Sequence, residues 1–169
     1  MCWIKEVGPI IVREATKSDA EEILSLQKLA YLSEAEIYDD FTIQPLVQTL
    51  EETLDEFKRQ TVLKYDAGDG IAGSVRGYLK DGTAYIGKLI VHPRFQNSGI
   101  GSLMMREIEA IFSAARRFEL FTGHRSTKNL HIYEKLGYRQ FSSKIVNERL
   151  TLVFLEKFNS PQGPRAATK

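Results

Sequence analysis

The hexapeptide Gln96-Asn97-Ser98-Gly99-Ile100-Gly101 is the stretch of this chain with the clearest chemistry. It lies between an apolar run, Leu89-Ile90-Val91, and a segment in which Ile100, Leu103, Met104, Ile108, Ile111 and Phe112 recur at helical spacing. A helix that starts here leaves the N–H groups of its first turn without carbonyl partners. Its N-terminus also carries partial positive charge. Gly99 and Gly101 bring no Cβ, so a ligand can approach the backbone closely. Together these features make a cradle for a phosphate or pyrophosphate. Glycines at a helix start also serve as plain turn residues, and that reading stands beside the first. Two other phosphate motifs are excluded. A P-loop needs a lysine after its last glycine, whereas Gly101 is followed by Ser102 and Leu103. A dinucleotide fingerprint needs a small residue where Met104 stands, and a tight turn after the strand; here the seven residues His92 to Ser98 intervene.

The loop resembles the acetyl-CoA signature of the Gcn5-related N-acetyltransferase (GNAT) superfamily, Gln/Arg-x-x-Gly-x-Gly/Ala. The preceding Leu89-Ile-Val-His92-Pro93 is similar to the exit of that family's fourth strand. A later stretch, Asn129-Leu-His-Ile-Tyr133-Glu-Lys-Leu-Gly137-Tyr138, resembles a second family motif. The resemblance runs from about Ile10 to Phe158 and is sharpest between Ile86 and Tyr138. It implies a GNAT-like acyltransferase fold, with a mostly antiparallel sheet splayed between strands 4 and 5 and flanked by about four helices. It also implies acetyl-CoA, as co-substrate, in that opening. Amides from Gln96 to Gly101, with Ser102 beside them, would then hold the pyrophosphate. The backbone of Leu89, Ile90 and Val91 would pair with the pantetheine arm, and Asn129 would hydrogen-bond it. Tyr133 would protonate the departing thiolate.

Those roles are chemically coherent. Attack of an amine on a thioester builds negative charge on the carbonyl oxygen, which a fixed backbone N–H of Ile90 or Val91 can stabilise. A tyrosine stays protonated at neutral pH and can donate. Asn129 and Tyr133 are spaced i, i+4 and share one helix face. Tyr133 also fits a packing role on an amphipathic helix. The base that takes the amine's proton is harder to place. The strand Thr83–Val91 holds no Asp or Glu, where some family members carry a base. Glu34, Glu36, Glu119 and His92 are the remaining candidates. His92, His124 and His131 show no metal-ligand spacing, so no metal is expected. Arg94, Arg125 and Lys128 flank the motifs, where they could meet CoA phosphates or simply solvent.

The acceptor is expected to meet the segment Tyr31–Phe41, which contains Tyr31, Glu34, Glu36 and Tyr38 and has no positive charge. Carboxylates and aromatic faces suit a cationic small-molecule amine. An acidic loop anchored by its aromatics is the alternative. Three competing functions remain: a non-catalytic acyl-CoA-binding module, a protein lysine or N-terminal acetyltransferase, and a peptide binder working by strand addition.

The elements that must carry these residues follow the order β-α-α-β-β-β-α-β-α-β-β. Strands are expected at Ile10–Arg13, Thr61–Tyr65, Ile71–Leu79, Thr83–Val91, Phe118–Thr122, Tyr138–Ser142 and Leu150–Glu156. Helices are expected at Ser18–Tyr31, from Pro45 through Phe57, from Ile100 through Phe112, and at Thr127–Leu136, with Leu32–Gln44 irregular. This is an α/β fold with an α+β mixed sheet, not a doubly wound one. The 169 residues suit one domain over 1–158, with a disordered tail at 159–169. Charge is nearly balanced at net +1, which gives no field for nucleic acid. No run of about 20 apolar residues offers a membrane span. Cys2 is the single cysteine, so no internal disulfide forms and a reducing cytoplasm is the expected setting. A homodimer, the commonest assembly, is the default expectation for oligomeric state.

Overall fold

The computed structural model describes residues 11–159. Seven strands form one sheet: β1 (Ile11–Glu14), β2 (Thr61–Asp66), β3 (Ile71–Lys80), β4 (Thr83–Val91), β5 (Arg117–Gly123), β6 (Arg139–Ile145) and β7 (Thr151–Phe158). Their order is β1-β2-β3-β4-β5-β7-β6, with every neighbouring pair antiparallel except β4 and β5. All seven expected strands are present, in a mixed sheet. Ile10, expected in the first strand, lies outside the described residues, as do residues 160–169 of the expected tail. Asn159, the first residue of that tail, is bonded: its side-chain amide donates to the carbonyls of Ser113 (2.7 Å) and Ala115 (2.8 Å).

Turn chemistry sets the antiparallel strands. Asp81 and Gly82 both take positive φ, 51° and 78°, as a tight two-residue hairpin loop requires. The pairing of β4 with β5 is different. It holds for only three residue pairs, Thr83 with Arg117, Ala84 with Phe118 and Tyr85 with Glu119. Beyond Tyr85 the two strands part, while β5 keeps its full register with β7 through Gly123.

Six α-helices occur among the described residues: α1 (Ala20–Ala30), α2 (Leu32–Tyr38), α3 (Gln44–Val47), α4 (Leu50–Arg59), α5 (Ile100–Ile111) and α6 (Thr127–Lys135). Two of these correct the sequence reading. The Leu32–Gln44 segment is not irregular throughout; α2 forms there and buries Ala35 and Tyr38 on one face. Two buried positions on a two-turn helix leave almost no periodic signal. The helix expected from Pro45 to Phe57 is broken in two. Gln48 is extended (φ −56°, ψ 135°), and Thr49 restarts the helix as N-cap. Its backbone N–H donates to Glu52 Oε2 at 2.8 Å, and Glu52 N–H donates to Thr49 Oγ1 at 3.2 Å. That reciprocal capping box is a helix start, so the step-of-four apolar pattern spans two helices.

The sheet separates two cores. On one face α5, with Met104, Met105 and Ile108 fully buried, packs over Leu63, Val75, Ala84, Ile86, Phe118 and Leu120. On the other face α1 sets Ile23 and Leu26 against Val62, Ile71 and Ile90. Gly137 ends α6 at φ 96°, as expected for a residue just past the helix. Thr49→Ala is expected to destabilise the domain by about 1 kcal/mol, the usual cost of a lost N-cap. Urea denaturation of the two proteins measures it.

Candidate functional site

The parting of β4 from β5 opens a cleft of about 1620 Å³. Backbone groups on that edge of β4 lack a strand partner there, and their direction can be read from the register with β3. His92 N–H donates to Ala72 O at 2.8 Å, which makes Ser74 and Ile90 the next hydrogen-bonded pair. The Ile90 amide is therefore spent on β3. Strand alternation turns the main-chain groups of Leu89 and Val91 the other way, into the cleft. Of the two amides expected to face a thioester oxygen, the geometry favours Val91. A bulge opposite Ser74–Arg76 sets this parity. Lys88 sits in it with a left-handed φ of 48°. Before the bulge Ala84 and Ile86 face the α5 core; after it Leu89 and Val91 do. One inserted residue shifts every later side chain by one face.

The loop after β4 runs along the end of this opening. Pro93–Phe95 makes one 3₁₀ turn, Asn97 takes φ 61° and Gly99 caps α5 at φ 84°. A Cβ at Gly99 would meet nothing within 4 Å, so the space before α5 is open. The Gln96 side chain donates to Val91 O at 3.3 Å, tying the loop to the strand. Leu89, Ile90, Val91, Gln96, Asn97, Gly99, Ile100, Gly101, Ser102 and Asn129 line the cleft, as does Lys128; Ser98, whose hydroxyl bonds Phe95 O, and Arg94 and Arg125 do not. These features fit an anionic diphosphate at the helix start with an extended arm along β4. Arg94, Arg125 and Lys128 are exposed.

Tyr133 lies on the α6 side of the cleft and is 7% exposed. Among the described residues no hydrogen bond occupies its hydroxyl. Burial, with Tyr31 and Glu34 nearby, pushes its pKa well above the usual tyrosine value. Asn129, one turn earlier, reaches Glu34 Oε1 (3.4 Å) and Thr122 Oγ1 (3.5 Å) only loosely.

The acidic segment is more tied down than its sequence suggests. Tyr38 is buried, and its hydroxyl accepts from Arg125 N–H at 3.0 Å. The same hydroxyl lies 2.8 Å from Ser126 Oγ. Ser126 in turn donates to Glu34 Oε2, so Tyr38 must be the donor to Ser126. This relay clamps α2 to the start of α6. A Cβ at Gly123 would sit 2.0 Å from the Tyr38 hydroxyl, so only glycine fits there. Tyr31 is half-buried, and burial pushes its pKa up to about 12. Glu36 lines the cleft but is exposed. Of the other base candidates, Glu119 is held by Arg117 at 2.7 Å, and His92 Nδ1 accepts from Arg94 N–H at 3.1 Å outside the cleft lining. Among the described residues no cluster of His, Cys, Asp and Glu could hold a metal, and no helix is long and apolar enough to cross a membrane.

One charged cluster escaped the sequence reading. Arg76, 1% exposed, bonds Glu56 Oε2 through one terminal nitrogen and Gln27 Oε1 (3.0 Å) through the other. Lys88 Nζ lies 2.7 Å from both Glu56 Oε1 and Gln48 Oε1. The signal was available: Arg76 and Lys88 are cations in the middle of otherwise apolar strands. Burial opposes ionisation of Glu56. The Lys88 hydrogen bond and the charges of Arg76 and Lys88 outweigh it and hold the carboxyl below its ordinary 4.5.

The Acetyltransferase (GNAT) family model matches residues 20–138. A search of curated proteins gave no match. Among solved structures, an acetyltransferase of the GNAT family from Streptococcus pneumoniae superimposes with a TM-score of 0.72 at 22% identity, over 89% of this chain and 99% of that one. The PaiA N-acetyltransferase of Thermoplasma acidophilum, in complex with coenzyme A, gives 0.75 at 17% identity, over 88% and 98%. A putative acetyltransferase from Salmonella typhimurium, with its cofactor acetyl-CoA, gives 0.71 at 17%, over 95% and 100%. At these identities the likeness is one of fold.

Glu56→Gln removes the one carboxylate that two cations share. A loss of about 3 kcal/mol is expected at pH 7, because a buried cation loses its partner. The folded-state pKa of Glu56 is depressed, so its stabilisation is complete above the ordinary value and fades as pH falls through the folded value. The gap between wild type and variant in urea denaturation should therefore narrow below about pH 4.5.

Proposed function

Because the chain belongs to the GNAT family of acetyltransferases, we propose that it moves the acetyl group of acetyl-CoA onto the primary amine of a small molecule, by direct attack in a ternary complex. The observation that carries this reading is the early end of β4–β5 pairing, after Tyr85 and Glu119, in a cleft that also reaches the N-terminus of α5 and Tyr133. The CoA diphosphate would take the open amides around Gly99. The pantetheine arm would lie along Leu89–Val91 as a substitute strand, within reach of Asn129.

In the reaction the amine nitrogen forms a bond to the thioester carbon and the carbon–sulfur bond breaks. The Val91 N–H, aimed into the opening, would stabilise the oxygen as it gains charge. Tyr133 would give its proton to the CoA thiolate. Burial raises the tyrosine pKa, but a thiolate beside it would be desolvated too, so both anions rise together and the transfer stays feasible. The amine's own proton needs an acceptor. Glu34 is the best-placed carboxylate: it lines the cleft, lies close enough to Tyr133 to raise its pKa, and is fixed by Ser126.

The direct test is incubation with acetyl-CoA and a panel of amines, read by thiol release and by a mass gain of about 42 Da, the acetyl increment. CoA binding with no thiol release on any amine would favour a binding module. Gly99→Glu should weaken CoA binding at least about 100-fold, since a charged side chain enters the diphosphate space at a left-handed position. Calorimetry measures it, and affinity near that of the wild type would remove the loop from the site. Tyr133→Phe should lower kcat about 100-fold with little change in the KM for acetyl-CoA. An unchanged kcat would leave the thiolate's proton to another source.

A further inference from the structure

Resting on the acetyltransferase reading, we propose that the acceptor carries a carboxylate beside its amine, and that Lys88, backed by the buried charge of Arg76, receives it. Two cations share the single carboxylate of Glu56, and all three side chains line the cleft. Glu52 is within electrostatic reach of Lys88, but its carboxylate is committed to capping Thr49. Hydrogen-bond supply is also one-sided. Arg76 Nε and Gln48 Nε2 are buried donors with no acceptor among the described residues. Lys88 uses two of its three N–H groups. With two cations against one carboxylate and, among the described residues, a free Lys88 N–H at the cleft, the site is complementary to an anion. Burial, reinforced by the Arg76 charge, lowers the Lys88 pKa in spite of the Glu56 bond, so the ammonium is not fully compensated among the described residues.

Position favours the acceptor over the cofactor. Lys88 reaches Glu56 and Gln48 on the α4 side of the sheet, whereas Leu89 and Val91 pack toward α5. Lys88 and Val91 are three residues apart, roughly 10 Å along a strand, so an acceptor hydrogen-bonded to the ammonium through its carboxylate can reach the thioester position with its amine. Tyr31 feels Arg76 and Glu56 as well as Glu34, and Tyr133 feels Tyr31. The cluster therefore stands one tyrosine away from the proposed acid. Beyond it, Tyr78 and Tyr85 stack with ring centroids 5.2 Å apart and line the same cleft. They give a flat apolar wall beside the cations, suited to an amino acid with an aromatic side chain.

The test compares two probes that differ only in the carboxylate, N-acetyl-L-phenylalanine and N-acetylphenethylamine, titrated into wild-type protein with and without CoA. The acid should bind at least about tenfold tighter, and phenylalanine should exceed phenethylamine in kcat/KM by a similar factor. Lys88→Gln should erase the difference and leave CoA affinity within about threefold of wild type. Equal binding of the two probes, no binding of either, or a preference that survives in Lys88→Gln would overturn the proposal. The comparison on wild type needs no variant to fold. Loss of CoA binding would sink the acetyltransferase reading alone, since the probe preference is also read without CoA.

Discussion

The site depends on one failure of pairing. β5 stays in register with β7 for its whole length, β4 stays with β3, and the two halves of the sheet can remain joined only from Thr83 to Tyr85. Past that point the facing edges hold peptide groups that a sheet would normally satisfy. Inside a protein such groups need a partner, and the described residues supply little beyond the Gln96 amide on Val91 O. An extended ligand arm with its own carbonyls and N–H groups would meet the need as a third strand would. Opening and recognition are then one feature of the backbone.

Holding the cleft open falls to side chains that cross it. Tyr38, Ser126 and Glu34 join α2 to α6, and Glu56, Lys88 and Gln48 join α4 to the bulge in β4. Each link has polar groups at both ends, so neither wall moves without leaving a buried polar atom unpaired. The break between α3 and α4 belongs to the same construction. Extending the chain at Gln48 lets its buried side chain accept from both Gln27 and Lys88. A continuous helix from Pro45 would have fixed Gln48 on the helical repeat.

Much of this was legible in the residues. The seven strands are bounded by turns whose chemistry is explicit, as at Asp81-Gly82, and the anion loop is read from Gln96 to Gly101. Features that depend on tertiary geometry were not legible. The α2 helix has too few buried positions to show a period. The parity of β4 turns on a bulge at Lys88, whose left-handed φ nothing in the strand's composition announces. Tyr38 reads from sequence as an aromatic able to greet an amine, but its hydroxyl is spent on Ser126 and Arg125. The cations at 76 and 88 were visible as anomalies in apolar strands. What they face depends on α4 folding back over the sheet.

That same bulge bears on how two substrates could meet. A strand with strict alternation gives each face every second side chain, and its edge backbone serves neither face in particular. In β4 the inserted residue lets Lys88 point to the α4 side while its neighbour Leu89 packs toward α5. Without that residue Lys88 would share the α5 face with Ala84 and Ile86; with it the two faces exchange, and the Val91 amide lies at the edge between them. A carrier entering beside α5 and an acceptor held on the α4 side would converge on that edge from opposite directions.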